Sequence, residues 1–244
     1  MNKNYILQIE TATPACSVAV SLDGDVITTV GAEENNIHAT HLTVFIEKAL
    51  QDAGISVRDL ATIAVSMGPG SYTGLRIGVS AAKGLCYALD IPLIAIDTLS
   101  AMFCGFSKRI IQENEKVLLC PMIDARRMEV YSALYDKQGH QVVPVGANII
   151  DQDFFHAYEE EGYQLHLFGS GAPKFNTLFE ANPLIHVYDD FSNSAAHMTV
   201  QAFEKLNSQS FEDVAYFEPY YLKDFIATTP KKNNYIHLFR LNQI

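Results

Sequence analysis

The spacing of hydrophobic residues changes repeatedly along the chain, and each change marks an element. "NYILQIE", "CSVAVSL" and "DVITTVG" are short runs rich in β-branched residues, separated by the turn-forming "TATPA" and "DG". They read as three strands. In "HLTVFIEKALQDAG", Leu42, Phe45, Ile46, Ala49 and Leu50 recur at helical spacing, and Gly54 is placed to end the helix. "TIAVSM" reads as a buried strand, followed by the glycine-rich "GPGSYTG" and a helix running through Leu89. "PLIAI" is a further strand, and "DTLSAMFCGFSKRI" a helix opened by a capping residue. The first half is therefore βββαβαβα.

The second half repeats that order. "KVLLCPMID", "MEVYSALYD" and "HQVVPVG" are strands, "DQDFFHAYEEEG" a short helix, "YQLHLFG" a strand, "PKFNTLFEA" a helix, "LIHVYD" a strand and "SAAHMTVQAFEKLN" a helix. Single residues echo the repeat at an offset of about 100 to 115 positions: Glu10 and Asp124 each end a first strand, and Gly68 and Gly70 correspond to Gly169 and Gly171. An internal duplication accounts for this economically. It predicts two α/β lobes, over 1–112 and 113–244, the second carrying a C-terminal tail. Each lobe has a central mixed sheet flanked by helices, and the first β-turns and glycine loops line the cleft between them. The order resembles the duplicated actin-like ATPase (ASKHA, ribonuclease H-like) fold.

Composition narrows the function. Of the 244 residues, 48% are hydrophobic and 18% charged, enough apolar matter for a real core. No apolar run approaches the ~18 residues that span a bilayer, and Met1 leads straight into "YILQIE" without a basic or apolar leader. A cytoplasmic protein is expected. Cys16, Cys86, Cys104 and Cys120 are scattered through apolar segments, so they read as reduced buried thiols. The net charge of −11 argues against unaided nucleic-acid binding, since phosphate neutralisation supplies most of such affinity. The basic "PKKNNYIHLFR" near the C-terminus reads as a solvated tail.

"GPGSYTG" is not a phosphate loop of the Walker type, because Leu75 stands where lysine is required, and its glycines are spaced G-x-G-x-x-x-G rather than as a dinucleotide fingerprint. Ser71 lacks the second glycine of a nucleophile elbow and reads as a helix cap. Gly74, Gly78 and Ala82 then fall at successive i+4 positions of the helix. Two interior glycines cost about 1 kcal/mol each against alanine, so they need a reason. Either the smooth face lets a partner helix approach, or it lets this helix pack tightly on its own sheet; the partner face is the expectation carried forward. In the first β-turns, Glu10, Thr11, Thr13 and Asp124 could serve magnesium and phosphate. However, Glu10 is a methylene longer than the aspartate usual in that fold, and Arg126 with Arg127 makes the second turn bulky. These residues, with Gly68, Gly70, Gly169 and Gly171, read as a vestigial phosphate or nucleotide cleft.

"IETATPACSVAV", "GPGSYTGLRIGVSAAKGL", "IDTLSAM", "IDARRMEVYSALYD" and "EPYYLKDF" together resemble the TsaB (YeaZ) family of bacterial tRNA threonylcarbamoyladenosine biosynthesis proteins, in the glycoprotease-like (peptidase M22-like) group. The resemblance implies a non-catalytic subunit that heterodimerises with TsaD, the metal-bearing threonylcarbamoyltransferase, and works with the ATPase TsaE. It implies a homodimer when the partner is absent, no strong tRNA binding of its own, and no cofactor or metal of its own. ATP or ADP, where involved, would sit at the junction with TsaD and TsaE. The pairing surface it implies is the helix after the glycine loop: Ser71, Gly74, Arg76, Gly78, Ala81, Ala82 and Leu85. A bulky residue at Gly78 is then expected to abolish pairing and leave the fold intact. The metal pair of TsaD is H-x-x-x-H, whereas "HATH" places His38 and His41 three apart at a helix start, which reads as helix-start polarity. A kinase or ATPase of the actin-like fold and an M22-type metallopeptidase are the competing classes.

Overall fold

The computed structural model describes residues 3–34, 37–110 and 116–223. The first half builds β1 (Tyr5–Glu10), β2 (Ala15–Leu22), β3 (Asp25–Glu33), α1 (His38–Ala53), β4 (Leu60–Gly68), α2 (Tyr72–Leu89), β5 (Leu93–Asp97) and α3 (Thr98–Ser107). The second builds β6 (Val117–Asp124), β7 (Glu129–Asp136), β8 (Gln141–Ile149), α4 (His156–Glu160), β9 (Gln164–Phe168), α5 (Asn176–Phe179), β10 (Ile185–Tyr188) and α6 (Thr199–Asn207). The two sheets have the same order, β3-β2-β1-β4-β5 and β8-β7-β6-β9-β10. In each, the first three strands run antiparallel and the last two join in parallel. The duplicated actin-like α/β fold is thus present, in the order the hydrophobic periods predict.

Local chemistry sets the helix ends. Gly54 takes the left-handed conformation that closes α1. Ser71 Oγ accepts from Gly74 N at 3.2 Å and opens α2, and Asp97 accepts from Ser100 N at 2.7 Å and opens α3. The second lobe is poorer in helix than its sequence pattern suggests. "PKFNTLFEA" becomes a 3-10 turn, Ala172–Phe175, with Pro173 in its first turn, followed by the single turn of α5.

The layers run α, β, α, β, α. Helices α1 and α2 cover one face of the first sheet around Leu7, Val18, Ile63 and Val65. Between the sheets, α3 packs Leu99, Met102, Phe103 and Phe106 against Leu119, Ile123 and Phe168 of the second sheet. Phe106 and Phe168 stack with centroids 3.9 Å apart. The outer face of the second sheet is covered by α4 and α5 through Phe155, Phe175 and Phe179. Residues 195–207 follow the second lobe in the chain but pack on the first sheet, where Ala195, Met198 and Ala202 meet Ile6, Ala64 and Ile94. Ala195 N donates to Ser17 Oγ at 2.9 Å at that crossing. Residues 111–115, where the sequence places the lobe boundary, lie outside the described residues, as does "PKKNNYIHLFR". The four cysteines are free thiols. Among the described residues, no helix is long and apolar enough to cross a membrane.

Candidate functional site

The glycine loop closes onto the first hairpin of its own lobe. Ser71 N donates to Ala12 O at 2.7 Å. A Cβ at Gly70 would overlap Ala12 O, one at Gly74 would overlap Thr11 O, and one at Gly78 would overlap Thr11 Oγ1. Ala82, one turn further, is fully buried. These residues therefore form the inner face of α2, and their smallness lets the helix lie directly on the β1–β2 turn. The expectation that Gly74, Gly78 and Ala82 form a partner face is overturned: Thr11 fills the space a partner would need. Close approach is what the glycines serve, and it occurs inside the chain.

The other face of α2 is open. Ser71, Arg76, Ser80, Gly84 and Ala88 are exposed, Ala81 and Leu85 are half-buried, and Tyr87 is 85% exposed. Ser80, Gly84 and Ala88 repeat the i+4 spacing of small residues, now outward, and a Cβ at Gly84 would meet nothing within 4 Å. Alongside runs α1, whose Val44 is 54% exposed and whose Phe45 shares the partly covered apolar strip with Ile77, Ala81 and Leu85. Of the seven predicted interface residues, then, Ser71, Arg76, Ala81 and Leu85 reach this surface. Gly84 and Tyr87 lie on it as well, and nothing in their sequence spacing marked them.

The cleft residues fall in two separate sets. Glu10, at the end of β1, is fully buried. Its Oε1 accepts from Ala12 N at 2.6 Å, and the side chains of Ser66 and Asn193 also lie against the carboxyl. Burial outweighs those hydrogen bonds and lifts its pKa to about 7. Thr11 and Thr13 are likewise buried, against α2 and α1. Gly68, at φ 117°, is covered by Tyr220 O.

Glu10 sets a pH dependence. Its folded pKa of about 7 lies above its ordinary value of 4.5. Its contribution is therefore fully present below about pH 4.5 and is lost as pH rises through about 7. Glu10→Gln should stabilise the protein at pH 8 by on the order of 3 kcal/mol relative to wild type, a difference that vanishes toward pH 4.5. Burial holds His166 and His197 at about 4, so their contributions are instead lost as pH falls through 6.5 toward 4. Both are common to wild type and variant. Urea unfolding of the two proteins between pH 5 and 8 checks this, and parallel curves would contradict it.

The second hairpin keeps its acid on the surface. Asp124 is exposed, Arg126 N donates to its Oδ1 at 2.6 Å, and Lys174 Nζ reaches the same oxygen at 2.5 Å. Lys174 also donates to the carbonyls of Arg127 and Glu129, at 2.7 and 3.1 Å. A lysine of the same lobe thus pairs with this carboxylate. Gly171 N donates to Met122 O at 3.0 Å, which ties this loop to β6. Cβ atoms at Gly169 and Gly171 would overlap Met102 and Val130, so this loop too packs inward.

The family model for TsaD, tRNA N6-adenosine threonylcarbamoyltransferase, matches residues 32–234. The chain belongs to the TsaD family. Its curated relatives include both TsaB proteins and tRNA N6-adenosine threonylcarbamoyltransferases. It is 33% identical over 159 residues to the tRNA threonylcarbamoyladenosine biosynthesis protein TsaB of Bacillus subtilis (strain 168), over 64% of this chain and 66% of that protein. To TsaB of Escherichia coli (strain K12) it is 37% identical over 135 residues, 54% of this chain and 55% of that one. The chain thus spans between about half and two thirds of the length of these curated relatives. The solved structure of YeaZ from Pseudomonas aeruginosa matches 90% of this chain and 100% of its own with a TM-score of 0.72 at 21% identity, a shared fold.

The two histidines at the start of α1, weighed in the sequence as metal ligands, are separated by the fold. His38 is buried and its Nε2 sits 2.9 Å from Thr13 O, tying α1 to the first hairpin. His41 is exposed, 2.8 Å from Thr40 Oγ1 and against the ring of Phe45. Among the described residues, no three His, Cys, Asp or Glu side chains group as metal ligands.

A C-terminal strap completes the site. Glu212 N donates to Leu93 O at 2.9 Å, Tyr220 N donates to Met67 O at 2.7 Å, and Lys83 Nζ binds Ala215 O and Phe217 O. Tyr221 lies on Tyr72 with centroids 4.7 Å apart, and Lys223 pairs with Glu129 of β7. The strap so covers the glycine loop and reaches the second lobe.

Proposed function

We propose that the chain is a non-catalytic subunit of the machinery that installs threonylcarbamoyladenosine next to the tRNA anticodon. It pairs with a TsaD threonylcarbamoyltransferase through the outward faces of α1 and α2, and a TsaE ATPase joins the pair. The observation that carries this is the outer face of α2. An exposed glycine inside an eighteen-residue helix costs about 1 kcal/mol, and among the described residues nothing lies within 4 Å of where the Cβ of Gly84 would stand. With Ser80 and Ala88 it forms a smooth groove, edged by Val44, Leu85 and Tyr87, that suits a second helix at short range. The same surface would pair two copies when TsaD is absent.

The role is architectural. TsaD carries the metal and the transfer chemistry, and this chain holds TsaD's catalytic lobe in a competent arrangement. ATP or ADP, where it takes part, binds at the junction with TsaD and TsaE. The kinase reading fares worse, because Glu10 is sealed under Ala12 and Asn193, and Asp124 is held by Lys174. The metallopeptidase reading fares worse because His38 points into the core. The cytoplasm, where tRNA is modified, is the compartment this role requires.

Reconstitution tests it. Threonine incorporation into unmodified tRNA by TsaD and TsaE, with threonylcarbamoyl adenylate supplied, should depend on adding this chain, and the chain alone should give none. Full activity without the chain, or product from the chain alone, would refute it.

A further inference from the structure

At the tip of the second hairpin, Arg126 and Arg127 stand side by side, both exposed and both in the left-handed region, at φ 71° and 50°. Two successive non-glycine residues seldom adopt that conformation. The turn is pinned by Arg126 N on Asp124 Oδ1 and by Glu129 N on Arg126 O at 3.2 Å. Its acids are already neutralised, Asp124 by Lys174 and Glu129 by Lys223. Neither arginine's guanidinium has a hydrogen bond or ion pair among the described residues. The tip therefore keeps two uncompensated positive charges on a chain of net charge −11. It also borders the proposed pairing face, because the strap runs from Tyr72 at the start of α2, through Tyr221, to Lys223 on Glu129.

We propose that the Arg126–Arg127 tip grips backbone phosphates of the tRNA substrate once the chain is paired with TsaD. Guanidinium forks match phosphate oxygens and stay charged at any working pH. Net repulsion from the rest of the chain keeps RNA affinity low for the isolated protein, so the tip counts only beside a partner that supplies further contacts. The proposal rests on the pairing reading above, and the experiment separates the two.

The complex of this chain with TsaD is purified, its mass checked by light scattering, and its tRNA affinity measured by anisotropy over a potassium chloride series. The double variant Arg126→Asn/Arg127→Asn is compared with wild type, asparagine being tolerant of the left-handed backbone. Two lost phosphate contacts should flatten the slope of log K against log salt by about 1.5 to 2. Arg126→Lys/Arg127→Lys should retain the slope, and Arg58→Ala, on the exposed turn before β4, should leave it unchanged. An intact variant complex with the wild-type slope overturns this proposal alone. Equal flattening by Arg58→Ala overturns it as well, since any surface charge would then do. So does ATP binding that the asparagine variant loses while its tRNA slope stays unchanged, because the tip would then hold a nucleotide's phosphates. If wild type forms no complex, the pairing reading fails and takes this one with it.

Discussion

Gly74→Val and Gly78→Val are each expected to destabilise the protein by about 3 kcal/mol or more, a large share of the ~5–15 kcal/mol that holds a domain folded. At Gly74 the new Cβ would overlap the carbonyl oxygen of Thr11, which is fixed by the first hairpin. At Gly78 it would overlap Thr11 Oγ1, inside a packed layer where neither hairpin nor helix has room to retreat. Valine adds branching that helices disfavour. Urea titration followed by far-UV circular dichroism checks both; a variant within 1 kcal/mol of wild type would show that α2 does not lie on Thr11 as described. Gly78 is for this reason a poor site at which to probe pairing. A bulky residue there would abolish binding by abolishing the fold.

Gly84→Arg is expected to do the opposite. A Cβ at Gly84 meets nothing within 4 Å among the described residues, and replacing a helical glycine removes a cost of about 1 kcal/mol, so the thermal midpoint should stay level or rise. Pairing should weaken at least ~100-fold, because a guanidinium would be driven into the apolar centre of the contact and a helix could no longer approach at short range. Gly84→Ala, which adds one methyl, should weaken pairing far less. Calorimetric titration with TsaD reads both affinities; equal binding by wild type and Gly84→Arg would remove α2 from the interface.

Much of the fold was legible because its signals are local. The three-strand starts, the buried parallel strands and the capped helices each carry their own period, and repeating them in order exposed the duplication. What was not legible depends on which side of an element faces inward. Gly74, Gly78 and Ala82 stood out by spacing, and spacing alone does not distinguish an inner stripe from an outer one. Gly84 sits on the same helix and drew no notice because only its neighbours in space mark it as exposed. The closing of the cleft was hidden for a related reason. Lys174 on Asp124, Asn193 against Glu10 and Lys223 on Glu129 join residues 50, 183 and 94 positions apart, and nothing in their own segments marks them as partners. The return of residues 195–207 to the first sheet likewise needs the long-range contact with Ser17, which no periodicity encodes.

In the proposed role the chain works by pairing through the outer faces of α1 and α2. Multi-angle light scattering on the chain alone and mixed with TsaD, for wild type and Gly84→Arg, tests it most directly. The wild type should be a homodimer that is replaced by a 1:1 heterodimer on mixing, and Gly84→Arg a folded monomer that stays monomeric in both. A wild-type chain that ignores TsaD, or a Gly84→Arg variant that pairs as wild type does, would contradict it.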